Sequence, residues 1–173
     1  MIKLLPLQLQ FCESVAEIAR ESLPEHWSLD AVRDVLRYDN NIYYVACNVE
    51  KSESAFSDDI KKADLNRESR LCDMSGTIVG FAGIMVVADE AELLNIAVTP
   101  SFRGRGIGQM LLDKMLTESA QRGTKRLLLE VRKSNVSAMQ LYSKSQFVKL
   151  GERKNYYSHP KEDAVIMERK FTE

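Results

Sequence analysis

Apolar positions along this chain recur in two rhythms, one near 3.6 and one of 2, and the switches between them mark its elements. Residues 2–5 read as a short strand. Phe11, Val15, Ile18, Ala19 and Leu23 then return at helical spacing, predicting an amphipathic helix that stops near Pro24. Ser28 is a candidate N-cap for a second helix carrying Leu29, Val32, Val35 and Leu36, which gives way at the turn-forming Asp39-Asn40-Asn41. Residues 42–49 are rich in β-branched and aromatic side chains and predict a strand. Two more strands, 77–87 and 92–98, read as a hairpin turning at Ala88-Asp89-Glu90. A helix over 106–121 follows, with Ile107, Leu111, Leu112, Met115, Leu116 and Ala120 on or near one face. Residues 125–131 are a strand whose continuous Leu127-Leu128-Leu129 run suits burial on both faces. A short helix over 135–145 and strands over 147–157 and 164–170 complete the pattern. Strands alternating with helices through the middle predict an α/β (α+β) domain, a mixed sheet flanked by helices.

One segment breaks the rhythm. Residues from about 50 to 75 are rich in Ser, Lys, Asp and Glu, with apolar side chains too sparse for a core. They read as a polar insertion, either a solvated excursion or a lid that meets a partner. With 173 residues, a second complete domain beside this insertion would be cramped, so 1–173 is expected to be one domain.

Composition narrows the function classes. A net charge of -1 gives no sign of a broad nucleic-acid-binding surface. The longest uncharged apolar stretch, 78–88, is about half of what a membrane helix needs. Pro6, Gln8 and Gln10 interrupt the first apolar run, which is unlike a signal peptide. Cys12, Cys47 and Cys72 lack metal-ligand spacing and, as an odd scattered set, are expected to be reduced thiols of a cytoplasmic protein that holds no metal.

The most specific chemistry lies in Asn95-Ile96-Ala97-Val98-Thr99-Pro100-Ser101-Phe102-Arg103-Gly104-Arg105-Gly106-Ile107-Gly108. A strand ends, a glycine-rich loop follows and an amphipathic helix begins. Glycines there permit positive φ and close backbone approach. The unpaired N–H groups of the helix's first turn and its dipole favour an anion, and Arg103 and Arg105 add positive charge. The spacing fits neither the dinucleotide fingerprint nor a phosphate-binding loop ending in Lys-Ser/Thr.

Residues 103–108 match the R/Q-x-x-G-x-G/A motif with which GNAT-superfamily N-acetyltransferases bind the pyrophosphate of acetyl-CoA. With residues 95–100, Leu129-Glu130-Val131-Arg132, Ser134-Asn135, Ala138, Leu141-Tyr142, Arg153, Asn155-Tyr156-Tyr157 and Glu162-Asp163-Ala164, the chain resembles the bacterial RimI branch of that superfamily. The likeness is dense over 76–170 and extends to the first 50 residues only in the order of elements. RimI enzymes acetylate the N-terminal alanine of a small-subunit ribosomal protein.

The resemblance implies the GNAT fold, a mostly antiparallel sheet of about six to seven strands with about four helices. It implies that Ile96, Ala97 and Val98 offer backbone bonds to the pantetheine arm of acetyl-CoA, and that Arg103, Gly104, Arg105, Gly106, Ile107, Gly108 and Gln109 surround the pyrophosphate. Asn135 would contact the coenzyme, although its position equally predicts a helix N-cap. Glu130 would be the general base and Tyr142, 12 residues on, the acid that protonates the leaving thiolate. Judged without the resemblance, Glu130 fits a solvent-facing strand position and Tyr142 a core position. Arg153, Asn155, Tyr156 and Tyr157 would border the acceptor peptide, or else pack across the last hairpin.

The expected partners are thus acetyl-CoA and a protein N-terminus, for a monomer or weak dimer. An α-amine, with a reference pKa of about 7.7–8.0 against about 10.4 for lysine, suits a single carboxylate base at neutral pH. A small-molecule amine, or acetyl-CoA binding without transfer, are the competing readings. One departure stands out: Gln146-Phe147 replaces the family's Gly-Phe after the last helix, which makes the usual left-handed helix ending costlier.

Overall fold

The computed structural model describes residues 1–24, 27–49 and 76–171, so the polar insertion lies outside the described residues. Seven strands form one sheet: β1 (Ile2–Pro6), β2 (Asn41–Val49), β3 (Gly76–Val87), β4 (Glu90–Val98), β5 (Arg126–Arg132), β6 (Val148–Ser158) and β7 (Lys161–Lys170). Their order across the sheet is β1-β2-β3-β4-β5-β7-β6. Every neighbouring pair is antiparallel except β4 and β5. The α-helices are α1 (Cys12–Ser22), α2 (Leu29–Asp34), α3 (Ile107–Gln121) and α4 (Val136–Lys144).

Alternation along the strands builds a core on each face. On one face Leu127, Leu129 and Val131 of β5 pack with Ile107, Leu111, Leu112 and Met115 of α3 and with Tyr142 of α4. On the other, Tyr43, Val45, Phe81 and Ala97 meet Phe11, Val15, Ile18 and Ala19 of α1 and the segment before it, and Val32 of α2. Each fully buried Leu, Val or Phe contributes about 1.5–3 kcal/mol, so these clusters dominate the fold's stability.

Local chemistry sets the element ends. Ser28 caps α2, its Oγ accepting from the Ala31 N–H at 3.1 Å. In α3, Ala120 is exposed and Ser119 takes the buried place expected for it, its hydroxyl donating to the Met115 carbonyl at 2.9 Å. Glu118 beside it is also buried, and receives the Tyr44 hydroxyl at 2.8 Å, Lys114 Nζ at 2.9 Å and Arg122. Charge pairing offsets what burial of that carboxylate would cost.

Of the cysteines expected to be reduced, one agrees and one departs. Cys12 is a free, buried thiol, whereas Cys47 is disulfide-bonded; Cys72 lies outside the described residues. No described helix is long and apolar enough to cross a membrane.

Candidate active site

The site begins where the sheet opens. β4 and β5 pair from Glu90 opposite Arg126 only as far as Leu93 opposite Leu129, yet β4 continues to Val98 and β5 to Arg132. Against β3 the register jumps at this point: Gly83 faces Asn95 and Ile84 faces Leu93, leaving Leu94 as an extra residue. Such a β-bulge bends its strand and raises local twist, which turns β4 away from β5.

The gap exposes backbone. Thr99 N–H donates to the Val79 carbonyl at 2.9 Å, and alternation in an antiparallel pair then turns Ala97 towards β3 and Ile96 and Val98 towards the gap. The backbone polar groups of Ala97 thus serve the pairing with Phe81, unlike those of Ile96 and Val98. The Val98 carbonyl already accepts from Arg103 Nε at 3.0 Å.

Beyond the gap lies the glycine-rich loop. Residues 103–106 are exposed, with Gly104 at φ 74° and Gly106 at φ 79°. A side chain would be strained at either angle, although a Cβ would meet open space. The first helical donor is Met110, bonded to the Gly106 carbonyl at 3.1 Å. Among the described residues, no protein acceptor takes the N–H groups of residues 104–109. The first turn of α3 carries no acidic side chain, so nothing opposes an anion there. Arg105 lies over the Phe102 ring, 4.6 Å from its centroid, and donates to the Ser101 carbonyl. Gln109 is turned elsewhere: its Nε2 donates to Asp113 at 2.8 Å and to Ser145 Oγ at 2.9 Å, tying α3 to the end of α4.

Glu130 lies on the face of β5 opposite Leu127, Leu129 and Val131, and its side chain is only 16% exposed. Arg153 Nη1 sits 2.7 Å from its Oε1. The Glu130 carboxylate nearby, with burial second, pushes the Tyr156 phenol above its ordinary value. Tyr142 occupies the other face, packed 5.7 Å from Phe147 and 5% exposed. Burial raises its pKa well above that of free tyrosine, with nearby Tyr157 adding to the effect. Its hydroxyl makes no hydrogen bond to a described residue, and it stays protonated at neutral pH.

The helix that carries Tyr142 has a defined beginning and end. Asn135 caps it, Oδ1 accepting from the Ala138 N–H at 3.2 Å, and the Nδ2 amide remains outside that bond. At the C-terminus Gln146 adopts φ 67°, and the Phe147 N–H donates to the Tyr142 carbonyl at 3.0 Å. The Schellman-type closure that glycine usually supplies is thus made by glutamine.

The last hairpin is shaped by a second irregularity. Arg153 faces Ala164 and Tyr157 faces Glu162, so residues 154–156 bulge from β6. Asn155 reaches φ 52°, and Asp163 Oδ1 holds its N–H at 2.9 Å. Lys154 Nζ lies 2.8 Å from Asp163, holding that carboxyl below its ordinary pKa. Tyr156 and Tyr157 meet edge to face at 5.1 Å, and Arg132 covers the Tyr157 ring at 4.0 Å. Glu162 accepts from the Ser134 N–H and pairs with Arg132, fastening the hairpin to the loop after β5. A cavity of about 460 Å³ opens where they join, lined by Lys133, Ser134, Asn155, Lys161, Glu162 and Asp163. Among the described residues no group of three His, Cys, Asp or Glu side chains is placed to hold a metal ion.

The family model described as the Acetyltransferase (GNAT) family matches residues 12–147. The chain belongs to that family.

Among curated proteins, it is 46% identical over 93 residues to the ribosomal protein bS18-alanine N-acetyltransferase of Haemophilus influenzae, the match covering 52% of this chain and 63% of that protein. The Escherichia coli protein of the same name is 43% identical over 95 residues, covering 54% of this chain and 64% of that one. The chain thus spans under two thirds of the length of these relatives. Among solved structures, the ribosomal-protein-S18-alanine N-acetyltransferase from Escherichia coli superposes with a TM-score of 0.77 at 26% identity, covering 100% of this chain and 96% of that one. The bacterial RimI resemblance read from the sequence is therefore shared by sequence and fold.

In this GNAT chain the sequence reading missed two groups. The bulge at Leu94 had a signal, since an isolated glycine such as Gly83 inside a strand pattern points to one. The Arg153–Glu130 contact had none, because 22 intervening residues separate the partners and only the sheet order unites them.

Proposed function

We propose that this GNAT chain transfers the acetyl group of acetyl-CoA to the α-amine of a protein, with an alanine-starting small-subunit ribosomal protein as acceptor. The observation that carries the reading is the run of N–H groups at 104–109 without described protein acceptors, placed beside a gap in the sheet. Those amides, with Arg103 and Arg105, form a concave positive surface for a pyrophosphate. Ile96 and Val98 would meet the pantetheine amides across the gap, and the Asn135 Nδ2 group is free to add a contact. The names of the relatives favour the acceptor class.

The residues divide the proton work. The acceptor ammonium loses one proton to solvent by way of Glu130, which leaves a neutral amine to attack the thioester carbonyl, and loses a second to the Glu130 carboxylate as the amide forms, directly or through water. The amine nitrogen forms the new N–C bond, the C–S bond breaks, and the electron pair leaves on sulfur. Tyr142, neutral because it is buried, donates its proton to that thiolate and is reprotonated from solvent. Asn155, Tyr156 and Tyr157 flank the entering peptide.

The test uses an alanine-starting peptide. Glu130→Gln and Tyr142→Phe are each expected to lower kcat by about 10²–10⁴-fold, the usual worth of general acid–base catalysis. Acetyl-CoA affinity measured by calorimetry should stay near that of the wild type. Undiminished turnover in both variants would refute these roles.

A further inference from the structure

We infer that Arg153 is an internal competitor for the acceptor's ammonium group, occupying Glu130 until a substrate displaces it. This inference rests on the reading of Glu130 as base, and its test is built so that the two can fail separately.

Three observations carry it. The Arg153 Nη1 to Glu130 Oε1 distance of 2.7 Å is that of a close ion pair, which places a cation where an entering ammonium would meet the carboxylate. The pair is unequal: the carboxylate is 16% exposed and fixed on a central strand, whereas the guanidinium is 57% exposed and can retreat into water. Arg153 is also the last regularly paired residue before the 154–156 bulge, so the chain beside it is not locked into a ladder.

A second cation arriving at this carboxylate is opposed by the first, since like charges a few ångströms apart repel. The peptide's binding therefore includes the work of removing the guanidinium. A guanidinium that instead gripped the peptide would have to leave Glu130 to do so, and its removal would weaken binding. The two roles differ in sign.

The experiment measures affinity of an alanine-starting peptide for the coenzyme A-loaded protein by calorimetry, alongside steady-state KM with acetyl-CoA. Arg153→Ala should tighten binding and lower KM by about two- to five-fold, the worth of a largely exposed ion pair. Arg153→Lys, which keeps a cation but loses the planar fork, should fall between alanine and wild type. In a Glu130→Gln background, Arg153→Ala should bring no such gain. Unchanged or weaker binding in Arg153→Ala, or an equal gain with Glu130→Gln present, would overturn the inference. Wild-type turnover by Glu130→Gln alone would overturn the base assignment instead.

Discussion

Gln146 holds a left-handed conformation at φ 67° that glycine would adopt without strain. The cost for a side chain there is about 1–2 kcal/mol. Gln146→Gly is therefore expected to raise stability by up to about 1 kcal/mol, part of the relief being offset by glycine's greater freedom when unfolded. For a chain of this size, a rise of about 2–4 °C in the thermal midpoint is the corresponding readout. A fall would contradict the strain. Sequence reading identified the departure at Gln146 but could not say whether the helix ending survives, because a hydrogen bond from Phe147 N–H to the Tyr142 carbonyl decides it. Tyr142 gives a second prediction at this scale. Burial raises its folded pKa above that of a free tyrosine, about 10, so its contribution to stability is full below that pH and is lost as pH rises further. Ultraviolet titration of wild type against Tyr142→Phe should reveal one phenol ionising above the ordinary range; an ordinary midpoint would contradict it.

Strands β3 and β4 and the loop after them carry the next predictions. A Cβ on Gly83 would lie 2.0 Å from the Tyr43 ring, a clash that neither the strand nor a packed ring can relieve cheaply. Gly83→Ala should cost about 1–3 kcal/mol by urea unfolding. Gly104→Ala meets open space but inherits φ 74°, so it should distort the loop and weaken acetyl-CoA binding more than it lowers stability. Calorimetry set beside urea unfolding separates the two effects. Element types and order were legible because periodicity and caps are local: Ser28, for example, caps α2 as its side chain predicts. The bulge at Leu94 was not read, since the extra residue appears only once Gly83 and Asn95 are paired. For the same reason Ala97 seemed equivalent to its neighbours, although ladder alternation sets it apart.

Across the molecule, the sheet separates two jobs. Tyr142 lies in the core shared with α3, while Glu130 lies on the opposite face of β5, beside Arg153 of the last hairpin. The gap between β4 and β5 arises from β4 bending and β5 pairing onward with β7, and the bulge at Leu94 that opens it lies level with Glu130 on the neighbouring strand. The sequence motif at 103–108 marked the loop whose amides lack described acceptors, because its positive-φ positions are written in glycines. The acceptor side depended on the bulged hairpin and the Arg132–Glu162 fastening, which periodicity alone does not reveal. Incubation of the protein with acetyl-CoA and an alanine-starting peptide that also contains lysine, read by fragment mass spectrometry, tests the whole arrangement. One acetyl group on the α-amine, strongly diminished in Glu130→Gln, is the expected result; acetyl on lysine alone, or none on the peptide, would contradict it.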